Sequence, residues 1–277
     1  MQRNKLLLLS FLPLLLSPWA MAQTMAPAGL NAGQTPELSE VQKEFSNLPE
    51  QKRIDYLKFV NEASRLFNQK RIFEAMAQID DARKIFDRNV DIFNLLGSCY
   101  VEFRDFTKAR EFYDKALALE PKSSVILFNL AELEFVTRNW QECLQKMNVV
   151  LPLLPEVNIQ TMRLVELKML LCYLALDRNE EAKTLANKYD PLRDDSPFYY
   201  YAQASLCYRN DDLIKAEEFL QKANRVFGNP AYIAPWQDTL IEFGYIASFY
   251  GGGELPSGSD ASESSPAPQP PPESGAK

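Results

Sequence analysis

From residue 50 to about residue 250 the apolar positions return every three or four residues, and nowhere do Val, Ile or Thr alternate with polar residues as in a half-buried strand. That period puts one apolar stripe on each of a succession of helices and predicts an all-α chain. The pattern also repeats. Within 90–123 the first half carries Phe93, Leu96, Gly97 and Tyr100, and the second half Ala109, Tyr113 and Ala116, with Pro121 behind them. Gly97 and Ala109 remove bulk where two antiparallel helices must approach, and Tyr100 and Tyr113 fill the space beside them. Pro121 stops the second helix, since proline has no backbone donor.

This set of residues resembles the tetratricopeptide repeat (TPR) family, whose helix-turn-helix units of about 34 residues stack into solenoids that usually bind other proteins. The frame extends on both sides. Residues 56–89 place Phe59, Ala63, Leu66, Ala75, Ile79 and Ala82 at the equivalent sites, and 124–157 place Leu127, Leu130, Ala131, Cys143, Met147 and Pro155 there. Glu134 stands where an aromatic is usual. After a five-residue slip over 158–162 the frame resumes at 163–196, with Met169, Leu170, Tyr173, Ala182 and Ala186, and with Glu166 in place of the first bulky residue. The copy at 197–230 carries Tyr200, Ala204, Cys207, Ala216, Leu220 and Ala223. Residues 231–250 read as one more amphipathic helix covering the open end of the stack. The expected fold is an all-α TPR solenoid of about five repeats plus this cap, over 50–250.

The flanks differ in kind. Arg3 and Lys5, an apolar run over 6–16 and Ala20-Met21-Ala22 have the order of a secretory signal peptide cleaved before Gln23, which predicts a periplasmic or secreted protein. The run is too short to span a bilayer and Pro13 interrupts it. Residues 23–49 form a flexible lead with room for one short helix near its end. Residues 251–277, rich in Gly, Ser, Pro and acid, are expected to be disordered: a solubilising tail, or a polyproline ligand through Pro270-Pro271-Pro272.

Composition narrows the chemistry. Net charge is −7, and −9 once Arg3 and Lys5 leave with residues 1–22. Without a basic stripe the chain is a poor match to nucleic acid or anionic lipid. There is no histidine, so Ser-His-Asp and Cys-His arrangements are impossible. The Asp pairs at 80–81, 194–195 and 211–212 sit at expected helix ends, where Asp serves as a cap. No enzyme, metal or cofactor is expected. Cys99, Cys143, Cys172 and Cys207 lack CxxC spacing and fall inside helices. They are either four buried thiols or, after export, include a Cys172–Cys207 bridge between adjacent first helices.

The TPR resemblance implies that the first helix of each repeat lines a concave face. Its inward positions give a partner groove of Phe128, Glu132, Phe135, Leu167, Leu171, Phe198, Tyr201 and Tyr208 in the C-terminal half. The same stripe is also what ordinary core packing looks like. Family members that grip a chaperone's C-terminal carboxylate do so with Lys, Asn and Arg. Here Val60, Ser64, Leu95, Val125 and Asn129 stand at the corresponding sites, so that specificity is not implied. The expected function is an exported adaptor for a protein of the envelope or secretion machinery, similar in build to periplasmic TPR factors of outer-membrane assembly, pilus biogenesis and cell-wall machinery. The alternatives are a self-associating structural subunit, and a sugar- or lipid-binding solenoid using Tyr199, Tyr200, Tyr201 and Trp236.

Overall fold

The computed structural model describes residues 39–155 and 157–247. The expectations for the signal peptide, most of the lead and the C-terminal tail lie outside them. Among the described residues there are twelve α-helices, one short 3-10 turn at Leu151–Leu153, and no strand. The fold is the expected all-α solenoid. Helix α1 (Glu40–Ser46) is closed by a capping box between Ser39 and Gln42. Its Phe45 packs on Tyr56 and Phe86, with ring centroids 5.0 and 5.4 Å apart.

Five antiparallel pairs follow: α2 (Glu50–Asn68) with α3 (Ile72–Ile85), α4 (Val90–Glu102) with α5 (Phe106–Leu119), and α6 (Ser124–Val136) with α7 (Trp140–Val150). Helices α8 (Ile159–Ala175) and α9 (Asn179–Ala186), then α10 (Phe198–Arg209) and α11 (Leu213–Phe227), complete the series, and α12 (Pro230–Phe243) ends it. Side chains start the helices where the sequence supplies them. Asn89, Asp105, Asn158, Asp212 and Asn229 each accept a hydrogen bond from a first-turn amide.

The turn inside every pair has one construction. Lys70, Arg104, Arg138, Asp177 and Asp211 adopt left-handed backbone, with φ between 57 and 61°. The following amide donates back five residues: Arg71 to Leu66, Asp105 to Tyr100, Asn139 to Glu134, Arg178 to Tyr173 and Asp212 to Cys207, at 2.9–3.0 Å. This closure satisfies carbonyls at the end of the first helix and reverses the chain in two residues. The left-handed residues are spaced 34, 34, 39 and 34 apart, so the five-residue excess lies between the third and fourth turns. A left-handed conformation costs a residue with a Cβ about 1–2 kcal/mol. Glycine avoids that cost but adds about 0.5–1 kcal/mol of unfolded-chain freedom. Arg138→Gly, at an exposed turn, is therefore expected to raise stability by about 0.5–1 kcal/mol, read as a higher urea midpoint at unchanged slope.

The repeat signature occupies the contacts between helices. Leu96, Gly97, Ala109, Tyr113 and Ala116 are buried, Phe93 and Tyr100 are half-buried against Phe112, and Pro121 lies exposed in the turn after α5. A Cβ at Gly97 would come within 3.0 Å of the Tyr113 ring. Tyr113 has nowhere to go, since it is 3% exposed and its hydroxyl is 3.1 Å from Ser98 Oγ. Gly97→Ala gains helix propensity, about 1 kcal/mol, yet forces the pair apart at a cost of up to about 3 kcal/mol. A net loss near 2 kcal/mol is expected from overpacking, and Gly97→Ala with Tyr113→Phe should not relieve it, because the clash is with the ring.

Candidate functional site

The concave face is built by the first helix of each pair, and its two halves differ. In the N-terminal half Leu57 is exposed, and Val60, Val101 and Val125 are half-buried. Asn129 donates to Asn94 Oδ1 at 2.7 Å across the gap between α6 and α4. Ser98 bonds back to the Asn94 carbonyl at 3.1 Å. This surface alternates short apolar side chains with amide groups.

The C-terminal half is occupied by α12. Ile233, Trp236 and Leu240 are 0–3% exposed. Trp236 lies against Tyr201 of α10 with centroids 5.7 Å apart, and Phe243 touches Phe135 of α6 at 6.2 Å and Trp140 of α7 at 5.3 Å. Tyr245, just beyond the helix, stacks on Tyr208 at 5.2 Å. Residues 231–250 are therefore misdescribed as an end cover alone: the helix at 230–243 crosses back over the inner helices of the third, fourth and fifth pairs. It follows that Phe135, Leu167, Leu171, Phe198, Tyr201 and Tyr208, expected to line an open groove, are buried instead. Phe135, Tyr201 and Tyr208 are covered by α12 and Tyr245, and Leu167, Leu171 and Phe198 join the same apolar cluster. Phe128 and Glu132 remain half-buried.

One ionic cluster sits within this interface. Lys168 of α8, with a side chain 4% exposed, lies between Glu132 of α6 and Glu242 of α12, the latter 3.4 Å away, and its ammonium is 4.7 Å above the Phe135 ring. Burial opposes the charge on Lys168, but the two carboxylates outweigh it and push its pKa up. Burial also raises the Glu132 pKa, against the pull of Lys168 and with the help of Glu242.

Two further buried acids explain the departures from the repeat pattern. Glu134, in the aromatic's place, receives both guanidinium nitrogens of Arg110 at 2.6 and 2.8 Å, Asn139 at 3.0 Å and Lys146 at 3.2 Å. Burial works against its charge, yet these donors hold its pKa down at about 2. Glu166 accepts from Lys188 at 2.6 Å, Tyr189 at 2.7 Å and Arg163 at 3.2 Å. It thus pins the segment that leads into α10. The sequence reading had Glu134 and Glu166 only as irregularities and missed Lys168 and Glu242. The available signal was a lysine and a glutamate inside the apolar run at 164–174, since a buried charge requires a partner.

All four cysteines are free thiols, with Cys99, Cys143 and Cys172 buried and Cys207 half-buried. The thiol neighbours are Cys143 and Cys172, whose hydrogen bond, with burial second, raises the Cys143 pKa. Denatured protein is expected to titrate four thiols with a disulfide-exchange reagent, and two would reveal a bridge. Among the described residues no helix is long and apolar enough to cross a membrane.

What these elements define is a helical-repeat solenoid, a stack of antiparallel helix pairs. Residues 90–123 match the tetratricopeptide repeat family model. The chain therefore carries one stretch that matches the tetratricopeptide repeat, set within a helical-repeat solenoid. A structure described as the functional characterization of Pseudomonas aeruginosa pilF is similar with a TM-score of 0.50 and 15% identity, over 70% of this chain and 97% of that one. A tetratricopeptide repeat protein from Parabacteroides merdae is similar with a TM-score of 0.51 and 16% identity, over 69% of this chain and 74% of that one. No curated protein matches the chain.

Proposed function

We propose that this protein is an exported, non-catalytic adaptor that holds an extended or helical segment of an envelope or secretion-machinery protein on the N-terminal half of its concave face. The observation that carries the reading is the contrast between the two halves. The C-terminal half is closed by α12, whereas Leu57, Val60, Val101 and Val125 stay at least partly accessible beside the Asn129 amide. Apolar side chains give such a surface affinity, and amides can pair with a backbone. Export rests on the order of charge, apolar run and small residues at 1–22.

Photo-crosslinking in the native envelope tests this reading. A photoreactive residue replaces Leu57 or Val101, with the exposed Glu142 of α7 as control. One envelope protein recovered from both groove positions and not from the control supports an adaptor and names its client. Crosslinks solely to the chain itself would favour a self-associating subunit. N-terminal sequencing of the exported protein should begin at Gln23, and an intact Met1 would remove the export half of the reading.

A further inference from the structure

Helix α12 is poorly equipped to stand alone. It begins at Pro230 and contains Pro235, which cannot donate to the carbonyl of Ala231 and crowds it. Two residues, Gly228 and Asn229, tie it to α11, with Gly228 in left-handed backbone at φ 55°. What keeps it helical is the surface beneath it. That surface is only partly satisfied by it. Among the described residues, Tyr201 Oη and Glu132 Oε1 of this surface are buried without a hydrogen-bond partner, as are Tyr56 Oη, Gln160 Oε1 and Asn179 Oδ1 elsewhere. Tyr201 is fully buried against Trp236. Burial first, and the nearby Asp238 carboxylate of α12 second, raise its phenol pKa, so the hydroxyl end lies close to α12. Each unmade bond carries its full desolvation cost, so the seat of α12 is less than fully matched to it.

The remaining contacts describe what the surface selects. Tyr201 takes an indole, Lys168 takes a carboxylate, and Phe135 takes a second ring. On α12 these are Trp236, Glu242 and Phe243, one face of a helix over about two turns. We propose that the concave face of α6, α8 and α10 is an exchangeable helix-binding groove in which α12 is the resident ligand. The partner it accepts is an amphipathic helix with a large aromatic residue for Tyr201 and, about two turns on, an acid for Lys168 beside an aromatic for Phe135. Such a partner gains over α12 wherever it lacks the internal proline and brings a hydrogen-bond acceptor to Tyr201. The inference goes beyond the adaptor reading, because the N-terminal face is open whichever way the groove at α12 behaves.

The test uses the full chain and a labelled synthetic peptide of residues 229–247, with binding followed by fluorescence anisotropy. Trp236→Ala in the chain loosens the resident helix without altering the groove. The variant is expected to bind the peptide at least about tenfold more tightly than the wild-type chain, a difference of about 1.4 kcal/mol. The same peptide carrying Glu242→Lys is expected to lose that binding. Hydrogen exchange on the wild-type chain stands independently of whether the variant folds. The α12 amides should exchange through an opening at least about tenfold more populated than the one that exposes α8 and α10. Equal protection of α12, α8 and α10 would overturn the proposal, as would a folded Trp236→Ala variant that ignores the peptide. A variant that dimerises with rising concentration yet does not bind the peptide would assign the groove to a second copy of the chain, and would equally overturn it.

Discussion

Lys168→Met is expected to cost about 3–5 kcal/mol at neutral pH, a large part of the 5–15 kcal/mol by which such chains are typically stable. Methionine matches the length of the lysine stem, so packing is nearly kept and the loss is electrostatic. Without the ammonium, Glu132 and Glu242 face each other in a setting that also contains Cys143 and the Phe135 ring. Glu132, whose pKa burial already raises above its unfolded value, then loses the cation that opposed that shift. A group of that kind supplies stability below its unfolded pKa and loses it as pH rises. Urea unfolding should therefore show a larger deficit for Lys168→Met at pH 7.5 than at pH 4.5. Adding Glu132→Gln and Glu242→Gln should recover most of the loss, since removing all the charges of a buried cluster costs far less than removing one. A deficit of equal size at both pH values would show that lost packing, not charge, is responsible.

The second large effect has the opposite sign in pH. Glu134 falls from an ordinary carboxyl value of 4.5 to about 2 in the folded chain. Its contribution is present above the unfolded value and is lost as pH falls through about 2. The shift corresponds to something on the order of 3 kcal/mol for a side chain this deeply buried. Glu134→Gln keeps the shape and the bond to Asn139 but leaves Arg110 without its anion. It should lower stability by roughly that amount at pH 7. The difference from wild type should narrow steadily below pH 4.5, and a constant difference down to pH 3 would contradict the assignment.

These two clusters also mark where the sequence was legible and where it was not. Gly97, Ala109, Tyr113 and Ala116 could be placed at sight, because each answers a demand made by its nearest helical neighbour. That demand recurs at a fixed spacing, so a single copy suffices to find the others. Glu134 and Glu166 looked like lapses in the same pattern, because their partners lie beyond the reach of a helical period: Arg110, in the preceding repeat, lies 24 residues away and Lys188, past the second helix of the same repeat, lies 22 away. The groove failed for a related reason. The apolar stripes of α6, α8 and α10 fit a partner groove and ordinary core packing alike. Periodicity states which face of a helix is apolar, however, and not what covers it. Only the fold brings Glu242 to Lys168 and Trp236 to Tyr201.

The return of α12 across three repeats alters how the array should come apart. A solenoid whose repeats touch only their neighbours behaves as a one-dimensional chain, with stability close to a sum of local terms and unravelling free to start at either end. Phe243 on Phe135 joins positions 108 apart in sequence, so the last three pairs cannot separate one by one while α12 is seated. Pulled or heated, the first two pairs should fray repeat by repeat. The rest should hold until α12 unseats and then yield together, making a chain of like units mechanically unequal along its length.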